Sequence, residues 1–443
     1  MLQTIINAWK IADLRKKLLF TVMVILVFRL GAAIPVPFVN IVEGLISEEI
    51  SGGATFFHYL QMMTGDAFNY GTLFAMSITP YINASIIIQL LTVVIPALER
   101  LQKEGEEGRK KINKITRYLS LGLAFAQSVA YFMYIRSQNM LTVNAEGKAY
   151  TGFWLFFQAA VVVLSFTAGT AFLIWLGEQV NEKGVGNGIS MVLFAGIISR
   201  IPSMMTSLYF DMLKGKLYNL FVPLALILLL LSIAFIVWMD NAEHRIPVQY
   251  AKRVVGRKMY GGQSSHIPLK VNMSGVLPVI FAGSILSLPP TIQMFVGNKI
   301  TSGSLLERFF GVFSSDHWFY AIIYFIFIIF FAYFYSAIQY NPIEMANNIR
   351  KNSGAIPGIR PGKPTSDYIA RIMSKITLLG ALLLSVIALY PILFTLITNA
   401  LGYTVRGIAL GGTSIIIMVG VALETVRQLE SQMMMRHYKG FLD

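Results

Sequence analysis

The chain has 443 residues, 55% of them hydrophobic and only 13% charged, with a net charge of +14 and no cysteine. Soluble domains carry roughly a quarter charged residues. This composition therefore excludes an ordinary water-soluble globule, and the missing thiols exclude disulfides and thiolate metal sites.

Residues 1–20 are amphipathic and carry Lys10, Arg15, Lys16 and Lys17. The apolar run after them has no small-residue cleavage pattern, so it reads as a retained first span. A spanning helix needs about 20 mostly apolar residues. Runs of that kind lie near 18–37, 75–97, 117–136, 153–176, 218–239, 274–296, 318–340, 376–398 and 408–427. A weaker run near 188–209 is interrupted by Arg200 and Pro202.

Charge decides that the weak run spans. The basic residues gather in the connections, where they orient a chain in a bilayer. With a cytoplasmic start, the connection at 98–116 (Arg100, Lys103, Arg109, Lys110, Lys111, Lys114) lies inside. The connections at 240–272 and 341–375, both rich in Lys and Arg, lie inside only if 188–209 crosses. The reading is thus an all-α polytopic membrane protein with ten spans and both ends cytoplasmic.

The second and seventh spans each open with Pro followed two residues later by Ile, in Pro80-Tyr81-Ile82 and Pro278-Val279-Ile280. Five spans per half put these segments in corresponding places, and an odd number inverts the second half. The halves are expected at 1–210 and 211–443. The stretch 52–74 starts at Gly52-Gly53, breaks at Thr64-Gly65-Asp66 and is too short to cross before Pro80. It reads as a re-entrant half-helix inside protein or a water-filled cavity, with an amphipathic helix on the outer surface as the alternative.

Reactive chemistry is sparse. Gly184-Val185-Gly186-Asn187-Gly188 lacks the Lys-Ser/Thr of a phosphate loop and reads as a turn before a span. Arg29 sits toward the outer end of the first span and Arg200 interrupts the fifth, whereas Glu178, Asp240 and Glu424 fall at or near cytoplasmic ends. All five histidines lie outside the span cores. A coupled pump or intramembrane protease would place ionisable groups at mid-membrane, so the pattern argues for a passive conduit and against an enzyme.

Several segments together resemble the SecY family of channel subunits. They are Pro80 to Leu91 (PYINASIIIQLL), Gly105 to Lys111 (GEEGRKK), Trp175 to Gln179 with Gly184 to Ser190, His266 to Gly275 (HIPLKVNMSG), Pro357 to Gly362 (PGIRPG) and Gly411 to Ser414. They follow one another in order along nearly the whole chain. The resemblance implies an hourglass pore, a plug and a lateral gate, and a channel that passes unfolded secretory polypeptides and releases hydrophobic segments sideways into lipid. It implies as partners the small membrane subunits SecE and SecG, the SecA ATPase or the ribosome, a polypeptide with a signal sequence, and the lipid bilayer of the bacterial plasma membrane. No cofactor is implied.

Carried over by motif, the pore ring falls on Ile78, Ile82, Leu193, Ile280 and Ile417. Ile78 and Ile82 are four apart and share a helix face, and an aliphatic constriction blocks ions by dewetting. The plug falls at about 55–68, with Phe56, Phe57, Tyr59, Leu60, Met62 and Met63, bulkier than the Gly- and Ser-rich plug usual in the family. The lateral gate falls on Asn83, Ser85, Gln89 and Leu288, although polar side chains in spans also serve ordinary helix packing. Motor or ribosome docking falls on Lys252, Arg253, Arg257, Lys258 and Arg360, whose charges could alternatively only fix topology. The competing functions are a secondary transporter of a small solute, also built from inverted repeats, and a structural membrane scaffold.

Overall fold

Every one of the ten apolar runs carries helix in the computed structural model. It describes residues 2–40, 64, 67–137, 140–142, 150, 152–215, 217–250, 253–255, 258–260, 264–286, 289, 318–403 and 412–439. In chain order the helices are α1 (Leu2–Lys10), α2 (Ala12–Gly31), α3 (Thr79–Val94), α4 (Pro96–Lys103), α5 (Glu106–Ser137), α6 (Phe153–Lys183), α7 (Gly188–Ile198) and α8 (Ile201–Leu213). There follow α9 (Tyr218–Asn241), α10 (Leu277–Leu286), α11 (Trp318–Gln339), α12 (Pro342–Lys351), α13 (Lys363–Ala400) and α14 (Gly412–Lys439). The strands are β1 (Glu243–Tyr250), β2 (Arg253–Val255), β3 (Lys258–Tyr260), β4 (Ser264–Lys270) and β5 (Gly354–Ala355).

Seven helical segments among the described residues are long and apolar enough to cross a membrane, and α3 with α4 makes an eighth as a bent pair. The remaining two runs are α2, whose first turns hold Asp13, Arg15, Lys16 and Lys17, and α10, a short helix that is almost wholly buried. The weak fifth run is one segment, Gly188–Leu213, broken at Ser199-Arg200 where Pro202 restarts the helix. A proline there gives up a backbone donor that a helix start does not need. α8 runs on to Leu213, three residues past the boundary expected at 210.

Other boundaries move for physical reasons. α2 stops at Gly31, short of the predicted residue 37, because the following stretch with Pro35 and Pro37 runs through turns and two isolated bridges, Pro35 to Thr72 and Val39 to Leu141. Val36 N–H donates to Gly71 O (3.2 Å) and Leu73 N–H to Ile34 O (2.9 Å), while Asn40 N–H reaches Met140 O (3.0 Å). α3 bends by 102° at Ile95-Pro96 into α4. α5, α13 and α14 overrun their apolar runs by several turns, since a helix can continue past the bilayer on an amphipathic sequence.

The same order of neighbours recurs in the two parts of the chain. In the first, α2 packs on α6 and α7, α3 on α5, α5 on α6, and α6 on α7. In the second, α9 packs on α13 and α14, α10 on α11, α11 on α13, and α13 on α14. Contacts of α7 with α14 and of α8 with α9 join the two sets. The largest apolar core draws on both, from α3, α7, α8, α9, α10, α11, α13 and α14.

The connections at 240–272 and 341–375 form one unit. β1 pairs with β4 (Ile246 opposite Ile267) and with β5 (Gln249 opposite Ala355), giving a sheet of order β4-β1-β5. Ile246, Val248, Leu269, Ile349, Ile356 and Ile369 bury a small core beneath it. This sheet is an addition to the helical architecture that the sequence reading did not anticipate.

Candidate functional site

α3 and α10 begin alike, and this similarity positions the central residues. Each has a buried proline at its second position, Pro80 or Pro278. Tyr81 and Ile82 N–H both donate to Ile78 O, at 3.0 and 3.1 Å. Val279 and Ile280 N–H both donate to Val276 O, at 3.2 and 3.3 Å. Ser77, with φ of 48°, turns the chain into the first of these openings.

Ile78 is fully buried, in a cluster with Phe28, Phe74, Leu173 and Val192. Ile82, one turn on and half-buried, packs against that cluster and against the large core. Leu193, Ile280 and Ile417 are buried members of that same core. The five expected ring residues are therefore contributed by the opening of α3 and by α7, α10 and α14, and Ile82 touches the two clusters that contain the others. An aliphatic surface of this kind offers no ligand to an ion that has shed its water.

Leu193 owes its place to the Gly-rich turn before α7. Asn187 caps the helix, its Oδ1 accepting from Ile189 and Ser190 N–H at 3.1 and 3.4 Å. A Cβ on Gly188 would lie 2.0 Å from Gly177 O, so only glycine lets α7 approach α6 so closely. Val185 N–H donates to Thr21 Oγ1 (3.0 Å), Gly186 N–H to Gln428 Oε1 (2.7 Å) and Gly188 N–H to Asn181 Oδ1 (2.8 Å). The turn thus ties α2, α6, α7 and α14 together. Thr21 and Gln428 were missed from sequence; their partners are 164 and 242 residues away, and nothing local marks them.

Of the expected gate residues, Asn83, Ser85 and Gln89 are half-buried on α3, and Leu288 lies outside the described residues. Gln89 Nε2 donates to Ser85 Oγ at 3.4 Å, and Thr92 Oγ1 to Gln89 O at 2.6 Å. These polar groups are bonded along their own helix.

The six expected plug residues, Phe56, Phe57, Tyr59, Leu60, Met62 and Met63, all lie outside the described residues. Just beyond them Phe68 is buried, with its ring 4.4 Å from that of Tyr131. The Tyr131 hydroxyl donates to Phe68 O. Tyr131 in turn packs on Phe166, so α5 and α6 hold this point of the chain. Sequence reasoning gave Tyr131 no role.

Of the expected docking residues, Lys252 and Arg257 lie outside the described residues. Arg253 and Lys258 fall on the β2–β3 hairpin, with Arg253 opposite Tyr260 and Val255 opposite Lys258. Arg360 is exposed on a turn between Gly358 (φ 79°) and Gly362 (φ 106°), and its carbonyl accepts from Thr365 Oγ1 at 2.9 Å. Ile356, just before this turn, is buried under the sheet and fastens the Arg360 turn to it, and the hairpin lies between β1 and β4 in the chain.

The family model for SecY matches residues 72–426. The chain belongs to the SecY family. Protein translocase subunit SecY of Mycobacterium bovis is 42% identical over 456 residues, covering 100% of both chains. The protein of that name from Streptomyces griseus is 43% identical over 440 residues, covering 98% of each. Among solved structures, a protein-conducting channel superposes with a TM-score of 0.62 at 19% identity, covering 94% of this chain and 92% of that one. Sec61 from a canine ribosome–channel complex superposes with a TM-score of 0.58 at 17% identity, covering 94% and 92%. The family membership and shared fold make the chain a multi-span membrane translocase subunit, a channel rather than a catalyst.

Proposed function

We propose that secretory polypeptides pass between the two five-helix halves of this protein, through a waist formed by Ile78, Ile82, Leu193, Ile280 and Ile417. The observation that carries this reading is the matched opening of α3 and α10. It sets Ile82 and Ile280 at equivalent places against one aliphatic core shared with Leu193 and Ile417. The recurring neighbour order supports two pseudo-symmetric halves, at 1–213 and 218–443. An unfolded chain can push such side chains apart, while ions without a chain meet a dry constriction.

In this reading the segment at 55–68 plugs the waist from outside. The seam beside α3 opens sideways to lipid for hydrophobic segments, with Asn83, Ser85, Gln89 and Leu288 along it. The Ser85–Gln89 bond within α3 fits a seam with few polar ties across it. The β2–β3 hairpin and the Arg360 turn receive a motor such as SecA or a ribosome, and SecE and SecG complete the complex in a bacterial plasma membrane. Support for both chain ends on the cytoplasmic side comes from Thr4 bonding Glu430 and Lys17 bonding Gln432, which put α1 beside the end of α14.

Deleting residues 55–68 tests the channel reading. Planar-bilayer recordings of the variant should show a standing ion leak that the intact protein lacks. A tight bilayer with both proteins would favour a small-solute transporter or a scaffold.

A further inference from the structure

The first helix has two opposite apolar faces, and the fold uses only one of them. At 3.6 residues per turn, Thr4 and Ala8 share one side of α1, and Ile6 and Trp9 share the other. The Thr4 side is fastened to the protein. Thr4 Oγ1 donates to Glu430 Oε1 at 3.1 Å, and Ala8 is fully buried in a cluster with Leu14, Val185 and Leu429. On the opposite side Ile6 is 54% and Trp9 47% exposed.

Two further observations say what covers that side. Lys10 at the end of α1 and Arg15 and Lys16 at the start of α2 are exposed and have no ion-pair partner among the described residues. Arg15 and Lys16 also stand one turn before the exposed stripe of α2 made by Leu19, Val22, Met23, Leu26 and Leu30. That stripe is the exposed apolar side of the first expected span, and where it meets acyl chains the two basic residues fall at headgroup depth, with stems long enough to reach outward. Tryptophan favours the same depth, because its ring is apolar and its N–H polar.

We propose that α1 is an interfacial helix that seats Ile6 and Trp9 among the acyl chains of the adjoining leaflet. Lys10, Arg15 and Lys16 bind the anionic phospholipid headgroups around them. Such helices combine buried apolar area with attraction to anionic lipid. Because α1 grips α14 with its other face, the lipid contact bears directly on the joint between the first and last spans. The inference stands apart from the channel reading.

The absence of cysteine makes the test clean. Ile6→Cys in the full chain is spin-labelled and reconstituted in phosphatidylcholine nanodiscs, with or without phosphatidylglycerol. Asn7→Cys, exposed on a different side of the helix, serves as the control. The label at position 6 should collide with oxygen more than with an aqueous nickel chelate, and the difference should widen with phosphatidylglycerol. The label at 7 should favour nickel. Adding Lys10→Gln, Arg15→Gln and Lys16→Gln should remove the phosphatidylglycerol dependence, each charge being worth roughly fivefold, or about 1 kcal/mol. Lys10→Arg with Lys16→Arg should keep it. Preferential nickel access at position 6 in both lipids would overturn the proposal. So would exclusion of both reagents, which would mean that protein covers this face.

Discussion

Ile82 and Ile280 each follow a buried proline by two residues, and each N–H bonds to the carbonyl four residues back. This shared geometry could be suspected from the Pro-x-Ile match alone, because proline favours a helix start. Replacing both with Asn puts two amides where the surroundings offer aliphatic carbon, and amides hold water that isoleucine sheds. Export of a reporter with a defective signal sequence should then rise by about tenfold, the factor that roughly 1.4 kcal/mol gives. Unchanged export would count against the ring. Other residue-scale features had no local sign. Tyr131 holds Phe68 from 63 positions away, and a lone Tyr in an apolar run reads the same whether it faces lipid or a carbonyl.

Among elements, the apolar runs gave the spans because the bilayer sets their length. They did not give the helix ends. α13 reaches from Lys363 to Ala400, and its first three turns lie outside the apolar run that marked it. The bend at Ile95-Pro96 follows from the residue before a proline avoiding helical geometry, but its 102° does not. The sheet was invisible for another reason. β1 and β4 mix polar and apolar residues and are interrupted by Pro247 and Pro268, and β5 has two residues that pair with β1 only because the fold brings them there. The consequence is that the Arg360 turn is fastened to this sheet through the buried Ile356. Arg360→Glu should therefore slow ATP-driven translocation into vesicles by about tenfold, as losing one charge-assisted contact of about 1.5 kcal/mol would. The sheet should stay folded, because the side chain is exposed. Normal ATP-driven transport would remove the docking role.

Across the whole molecule, the sequence placed charges and counted crossings, but the joining of the parts came from long-range bonds. Arg427 of α14 reaches Asp240 Oδ2 at 3.0 Å and Asn241 Oδ1 at 2.9 Å, fixing the end of α9 beside the last span. The Gly-rich turn bonds to Gln428 one residue on. Such ties hold the two parts at their joint, whereas Ile82, Leu193, Ile280 and Ile417 bring only aliphatic side chains to the core that a passing chain would have to part. Disulfide trapping tests that arrangement most directly. A secretory polypeptide with one cysteine is stalled in variants carrying a single cysteine at position 82, 193, 280 or 417, with Leu26→Cys on the lipid-facing side of α2 as control. The polypeptide should cross-link at all four central positions and not at 26. Trapping at 26 with none at the four would show that the chain travels by another route.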